Sequence, residues 1–317
     1  MNLTGTWGRI ASKSGQALLT LFTVVVLVFL LVRLIPGDPV TTILGSETNA
    51  TAEAALRLEL GLDRSILEQF GDYFVGLLQG DLGHSAVQRA DTVAKIILDS
   101  LPNTLAIIGT GMLISIVVGI GLGLAAAMSR HRWVDLAVRT WAMLLYATPT
   151  FLVALLLILV LSIQLGWFPA GGWAGSYPDN FWFLVLPGVA LSSHLSPIIA
   201  RTVRQAAINV SGQLFMEAAL SRGLSRAALN MRHILPNSIL PVITLLGISF
   251  GGLLTGAIIV EAVFGLPGLG SEMTKAVARR DYPVIQGIAL VSACAVILGN
   301  LVAEIAYTFV DPRARRA

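Results

Sequence analysis

Residues that could carry chemistry are few and widely separated in this sequence. None of the three lysines follows a glycine, which excludes the phosphate-binding loop G-x-x-x-x-G-K-[ST]. The segment Gly247–Gly251 reads GISFG and matches the letters of a nucleophile elbow, but that elbow requires a strand-to-helix turn and this segment lies in an apolar run. The four histidines have no metal-ligand spacing; they are His84, His131, His194 and His233. The sequence therefore predicts no catalytic residue, no metal site and no cofactor.

A histidine and a glutamate fall inside long apolar runs, where a polar side chain needs a partner. These residues are His194, between two prolines, and Glu304, near the end of the last run. A charge at the centre of a membrane span costs about 2.5–3.5 kcal/mol on insertion scales. Both side chains are candidates for a solute pathway, and so is Pro149, because prolines at membrane depth suit helices that line a pathway. Packing and hydrogen bonding between helices are the alternative interpretations of His194 and Glu304.

The elements that hold these residues are predicted membrane helices. The chain is 55% hydrophobic and 12% charged, whereas soluble domains are about 25% charged. Six runs are long and apolar enough to cross about 30 Å of hydrocarbon. They are Ala17–Ile35, Asn103–Met128, Thr140–Leu165, Phe181–Ala200, Ser238–Val260 and Val284–Phe309. The sequence therefore predicts an all-α membrane protein with six transmembrane helices.

The basic residues between these runs indicate an orientation. Thirteen lysines and arginines lie in segments on the side of the two termini and seven on the opposite side, with Arg33 at the end of the first span. The positive-inside rule therefore predicts that both termini are cytoplasmic. Because the charges gather at the ends of apolar runs, the net charge of +3 reflects topology and predicts no nucleic acid partner. The outer loop is expected to carry short helices at Ala52–Leu60 and Ile66–Leu78 on the membrane surface.

The segment from Gly212 to Pro241, called the elbow below, is too polar to cross a bilayer and predicts two short helices joined by a turn. Ser211 is the predicted N-cap of the first helix, and Gly223 the left-handed residue after it. Ser225 is the predicted cap of the second helix, which Pro236 is expected to close. Arginines on and just before the elbow place it in the cytoplasm, where a short amphipathic helix suits a groove on a soluble partner.

Part of the elbow resembles the EAA loop of the membrane subunits of bacterial ABC importers. The matching residues are Glu217, Ala218 and Ala219, then Gly223, then Leu235 and Pro236. In that family the loop is the coupling helix, which seats in the ATP-binding subunit and passes nucleotide-driven motion to the membrane helices. The resemblance implies that these six residues couple this chain to an ATPase. His233 stands two residues before Leu235, where the family prefers isoleucine.

Further segments, in chain order, resemble the dipeptide/oligopeptide/nickel branch of importer permeases. They are RLIPGDP, QGDLGHS, SLPNTL, LGWFPAGG, VEAVFGLPGLG, RRDYPVIQG and DPRARR, and they extend from Arg33 to Arg316. The resemblance implies the fold of a type I ABC importer permease, embedded in membrane lipid and without an ATPase site of its own. The partners that it implies are a second homologous permease subunit, two cytoplasmic ATPase subunits and an extracytoplasmic substrate-binding protein, which selects the solute.

These predictions divide the chain into segments. Residues 1–35 are expected to form a cytoplasmic N-terminus and the first membrane helix, and residues 36–102 an extracytoplasmic loop with short helices. Residues 103–310 are the predicted transmembrane permease core, which contains the cytoplasmic EAA coupling loop at 201–237. Residues 311–317 are the predicted cytoplasmic tail. The expected location is the bacterial inner membrane, which the chain crosses several times.

The predicted function is translocation of short peptides, di- or oligopeptides, into the cytoplasm. Import of nickel complexes, glutathione or another small solute is the alternative within the same family. A secondary transporter with inverted repeats is an alternative from another class. The sequence shows no visible repeat, and a self-contained carrier has no need of the elbow. A membrane enzyme, the third class, has no catalytic constellation in a usable context here.

Overall fold

The computed structural model describes residues 3–34, 40, 49–59, 61–88, 90–174 and 180–310. Across these residues the fold is helical, with one isolated bridge between His84 and Thr92 and no strand. The helices are α1 Leu3–Leu34, α2 Ala50–Glu59, α3 Ile66–Leu78, α4 Val93–Met128, α5 Arg132–Ala147, α6 Thr150–Leu157, α7 Asn180–Ser211, α8 Leu214–Ser221, α9 Arg226–Leu229, α10 Leu235–Phe264, α11 Leu269–Arg279 and α12 Tyr282–Val310. Two π-helical segments, Ile158–Gln164 and Asn230–Ile234, follow α6 and α9.

Five helical segments of the described chain are long and apolar enough to cross a membrane. They are Gly15–Leu34, Val93–Met128, Asn180–Ser211, Arg226–Phe264 and Tyr282–Leu301. A sixth crossing would consist of the pair Arg132–Ala147 and Thr150–Gln164, taken as one broken span. The predicted all-α membrane fold is confirmed.

The third predicted span, from Thr140 to Leu165, is broken into two helices rather than formed by one. The two helices of this region bend by 105° at Thr148 and Pro149. Thr148 adopts an extended conformation, with ψ at 125°. A proline disfavours helical geometry in the residue before it and removes one backbone donor, so the helix ends at Ala147 and restarts at Thr150.

The described residues group into two compact units, of which the first is formed by Met1–Pro102 and Gly268–Ile297. Its core contains buried side chains from α1, the start of α4, α11 and the start of α12. Helix α3 packs antiparallel along α1, with Phe74 against Phe22 and Phe70 against Phe29 at ring distances of 5.9 and 5.1 Å. Both predicted short helices are present, but α3 lies along a candidate span, which the sequence did not indicate.

The second unit contains Asn103–Pro267 and Leu298–Ala317. Helix α7 is the most enclosed of the candidate spans and packs against α5, α6 and α10. Glycines let α4 approach α7 closely: a Cβ added to Gly119 would lie 2.6 Å from Cβ of Ile199, and one added to Gly123 2.6 Å from the carbonyl oxygen of Ala200. The two glycines form a G-x-x-x-G pair, and their lack of side chains is what permits this close packing.

Candidate functional site

The first helix of the elbow, α8, begins two residues later than predicted. Ser211 is not its N-cap, because α7 continues through Ser211 and the Ser211 hydroxyl donates to the carbonyl of Ala207 at 2.7 Å. A serine that bonds back to the preceding turn cannot also cap the next helix. Gln213 occupies the N-cap position and makes no side-chain hydrogen bond there. The capping prediction for Ser211 was therefore wrong.

The end of α8 has the predicted left-handed residue. Gly223 has φ at +78°. Its N–H donates to the carbonyl of Leu220 at 2.9 Å, and the N–H of Leu224 donates to that of Ala219 at 3.3 Å. This pair of bonds is a Schellman motif, which satisfies carbonyls at the end of the helix. A Cβ added to Gly223 would meet no atom within 4 Å, so backbone conformation rather than space favours glycine here.

The second helix of the elbow begins as predicted but does not end at Pro236. The Ser225 hydroxyl accepts the N–H of Ala228 at 3.3 Å, which caps α9. The chain then passes through the π-helical segment into α10, where Pro236 lies in the first turn. The N–H of Leu235 bonds to the carbonyl of Asn230, five residues back. This widened turn accommodates a proline that lacks a donor and would clash with a regular helix.

A small apolar core holds the elbow against the end of α7. Ala207, Met216, Leu229 and Ile234 are buried together, and Ala219 packs against them. The predicted coupling residues therefore divide into two groups. Glu217, Ala218, Gly223 and Pro236 are exposed, whereas Ala219 and Leu235 are half-buried. The small size of Ala219 serves packing inside the elbow, which the motif alone did not indicate.

Outside this core, the elbow exposes large apolar side chains. Leu214 is 83% exposed and Met231 69% exposed, and Leu220 and Phe215 are also exposed. The ring of Phe215 lies 6.0 Å from that of His233, the residue that stands in place of the isoleucine of the EAA motif. Several large apolar side chains left exposed beside a motif are typical of an interaction site.

The candidate pathway residues lie in the second unit. His194 stacks on Tyr146 with the ring centres 5.2 Å apart, and Tyr146 precedes the helix break at Pro149 by three residues. The structure thus brings His194 to the helix that leads into this break. Glu304 lies in α12, and its side chain is outside the described residues.

A buried aspartate joins two motifs of the first unit that are far apart in sequence. Asp281 is 4% exposed and accepts hydrogen bonds from the Ser85 hydroxyl, the N–H of Ala86 at 3.0 Å and the N–H of Val87 at 3.4 Å. It thereby holds the end of QGDLGHS against RRDYPVIQG. The sequence gives no sign of this link beyond the two polar motifs themselves, in which Ser85 and Asp281 are 196 residues apart.

Next to this link lies a cleft of about 500 Å³ with charges of both signs. Its charged residues are Asp91, Lys95, Asp99, Glu272, Lys275 and Arg279, and the name charged cleft refers to them below. Lys95 pairs with Asp91 and Lys275 with Glu272, each at 2.7 Å. Pairs between exposed side chains contribute little to stability, so their main effect is on the charge pattern of the surface.

Two family models match the chain and together cover most of it. One describes the inner membrane component of binding-protein-dependent transport systems and matches residues 119–316. The other describes the N-terminal part of such membrane components and matches residues 9–108. The chain belongs to this family. It is the membrane permease subunit of an ABC importer, a multi-pass protein of the bacterial inner membrane, and the resemblance based on the motifs is confirmed.

Relatives extend over nearly the whole length of this permease. Two of them are glutathione transport system permease proteins GsiC, from Salmonella choleraesuis (strain SC-B67) and Escherichia coli (strain K12). Each is 38% identical over 296 residues, which are 93% of this chain and 95% of the relative. A solved structure of the inward facing MetNI methionine ABC transporter has a TM-score of 0.53, with 16% identity, and covers 69% of this chain and 97% of that chain. That likeness supports the fold of an importer permease.

Proposed function

We propose that this permease moves short peptides into the cytoplasm and is driven by ATPase subunits that bind the elbow. The observation that carries the proposal is the exposed apolar surface of the elbow, where Leu214 and Leu220 lie in the same short helix as Glu217. ATP hydrolysis belongs to the other chains. Glu217, Ala218 and Gly223 are exposed at this surface, so an ATPase groove would meet them directly.

The elbow is connected to membrane helices at both ends without an intervening flexible loop. Helix α7 ends at Ser211, three residues before α8 begins. On the other side, residues Arg226–Phe264 form one continuous helical segment from the elbow into a candidate span. A movement of α8 in an ATPase groove would therefore be transmitted to two membrane helices. This connection gives Leu235 and Pro236 a role as the junction between the elbow and α10.

The remaining partners follow from the family, whose name includes a binding protein. The proposed assembly contains a second homologous permease, two ATPase subunits and an extracytoplasmic binding protein in the membrane of a bacterial cell. The charged cleft and the loop of residues 36–102 would face outwards, and the elbow and both termini would face the cytoplasm. Residues His194, Pro149 and Glu304 are proposed to line the solute pathway in the core of residues 103–310.

Glutathione is the second candidate for the solute. Relatives that are 38% identical over 93% of this chain are glutathione permeases. Glutathione is itself a tripeptide, so both candidates require a path that accepts peptide groups and a terminal carboxylate. A matched pair of substrates, trialanine and glutathione, distinguishes the two.

The test is uptake into proteoliposomes that contain the complete complex, with ATP on the side of the ATPase subunits. We expect uptake of at least one of the two peptides to require ATP and the binding protein, and to persist when an ionophore removes ion gradients. Complexes that lack the ATPase subunits serve as the control. Uptake that continues without ATPase and stops with the ionophore would indicate a secondary transporter and contradict the proposal.

A further inference from the structure

Three side chains form a stacked group on one side of α7. The His194 ring is nearly parallel to that of Tyr146, at an interplanar angle of 24°, and the Arg201 guanidinium lies 5.1 Å from the centre of the Tyr146 ring. His194 and Arg201 are seven residues apart, which places them two turns apart on one face, separated by about 10 Å along the helix. Tyr146 comes from the last turn of α5.

The open side of α7 is polar, although the helix is otherwise enclosed. From Phe183 to Ala200, all described, His194 is the one exposed residue. The next exposed residues on the same face are Arg201 and Gln205. His194 lies inside the predicted span Phe181–Ala200, where a polar group is expensive unless it meets protein or water, whereas Arg201 and Gln205 follow the end of that span. This face is therefore suited to water, a polar solute or a protein partner.

The two neighbouring arginines of α7 differ in their pairing. Arg204 forms a bidentate ion pair with Asp135, in which Nε donates to Oδ1 at 2.5 Å and Nη2 donates to Oδ2 at 2.8 Å. Arg201 has no acidic partner among the described residues, and its contact is with the face of Tyr146. One positive charge is thus neutralised inside the subunit, and the other remains available to an anion. A planar guanidinium binds a carboxylate with two parallel hydrogen bonds.

The break of the third span adds to the same region. Tyr146 lies three residues before Pro149, where the chain turns by 105°. Broken membrane helices occur at solute sites in transporters, because they bring unpaired backbone groups and helix ends to membrane depth. Tyr146 thus projects from the end of a helix rather than from the middle of a continuous span.

We propose that His194, Tyr146 and Arg201 form a binding site for the terminal carboxylate of the imported peptide. The proposal rests on the proposed function and identifies the part of the solute that this site recognises. Arg201 binds the carboxylate, His194 supplies a hydrogen bond to another part of the bound peptide, and the Tyr146 ring positions both side chains. With the elbow in the cytoplasm, Arg201 is the deeper of the two, so the solute passes His194 first.

The test measures equilibrium binding of labelled peptide to the permease–ATPase complex in nanodiscs, without the binding protein. The probe is trialanine or glutathione, whichever the wild-type complex takes up, compared with the same peptide amidated at its C-terminus. We expect the free acid to bind roughly tenfold more tightly than the amide, as for loss of one charge-assisted hydrogen bond. Arg201→Gln should remove this preference, whereas His194→Phe should weaken binding of the acid and the amide to the same extent. The matched control, Gln205→Ala on the same face of α7, should keep it.

Each other outcome has a separate meaning. Uptake of neither peptide by the wild-type complex would contradict the proposed function itself. Uptake with equal binding of acid and amide, or a preference that survives Arg201→Gln, would overturn the binding site alone. Loss of the second permease subunit from the Arg201→Gln complex on purification would show that Arg201 is a contact between subunits, and would also overturn the site.

Discussion

The elbow and the charged cleft expose opposite kinds of surface. The elbow exposes large apolar side chains, with Leu214 at 83% and Met231 at 69%. The charged cleft has acids and bases in salt bridges with lengths of 2.7 Å. Burial of apolar area gives lasting affinity, at about 25 cal/mol per Å². Complementary charges mainly increase association rates and lose this effect in salt.

This difference matches what two partners of an importer require. An ATPase subunit has to stay attached while it changes shape, which an apolar contact favours. A binding protein has to arrive, release its solute and leave, which a charged and wet surface favours. We therefore expect damage to the elbow to break the complex, and damage to the charged cleft to change the rate at which the complex is used.

The largest effect is expected for Gly223→Trp in the elbow. A side chain at φ +78° costs roughly 1–2 kcal/mol, and a bulky one would also stand in an ATPase groove. The variant should insert and bind its permease partner but lose the ATPase subunits on purification, and uptake should stop. Gly223→Ala is the matched control, since the added Cβ meets no atom within 4 Å and only the backbone is strained. A complete, active complex with Gly223→Trp would contradict the coupling role.

A smaller effect is expected for Asp281→Ala beside the charged cleft. The change leaves the buried Ser85 hydroxyl and the N–H of Ala86 without their acceptor, at a cost of about 1–3 kcal/mol for each buried group. Thermal unfolding in detergent should begin at a lower temperature, while the ATPase subunits stay bound. Asp281→Asn keeps one acceptor oxygen, so it should lower the unfolding temperature less. Unchanged unfolding in both variants would show that the link carries little of the stability.

A several-fold effect on uptake is expected for Arg279→Glu. Arg279 is exposed in the charged cleft, so reversing its charge should alter attraction to the binding protein and leave the fold intact. Uptake should need more binding protein for half of the maximal rate, and the difference should shrink as salt rises. Arg57→Glu, on α2 outside the cleft, is the control. A binding-protein titration identical to that of the wild type at low salt would show that the cleft is not part of the docking surface.

The smallest effect is expected for Ser225→Ala, which removes the cap of α9. Loss of such a cap costs about 1 kcal/mol, and the elbow core of Met216, Leu229 and Ile234 remains. The complex should purify intact, and uptake should fall by no more than a few-fold. Loss of the ATPase subunits in this variant would mean that the whole elbow, rather than its exposed surface, is marginally stable.

The two regions also differ in how far the sequence predicts them. In the elbow, Gly223 and Ser225 act within three or four residues of their partners, so capping rules identify them. The rules failed for Ser211, because its hydroxyl had an alternative partner one turn back in α7. They also failed at Pro236, because a π-helical turn absorbs the proline. Packing decides between such alternative hydrogen-bond partners and helical turns, and the sequence does not show that packing.

Beside the charged cleft, Asp281 and Ser85 are 196 residues apart, and no periodicity relates them. For the proposed pathway, the sequence singled out Pro149 and His194 separately. It did not show whether the proline kinks or breaks its helix, nor that Tyr146 would lie against His194. Such contacts depend on how α5 packs on α7, so they required the structure.

The most direct test of coupling is the reactivity of a cysteine at the most exposed apolar position of the elbow. Leu214→Cys is placed in a Cys294→Ala background and treated with a membrane-impermeant maleimide, from either side of the membrane. We predict labelling from the cytoplasmic side alone when the ATPase subunits are absent, and strong protection when they are bound. Labelling from outside, or labelling at the same rate with and without the ATPase, would contradict the elbow as its docking surface.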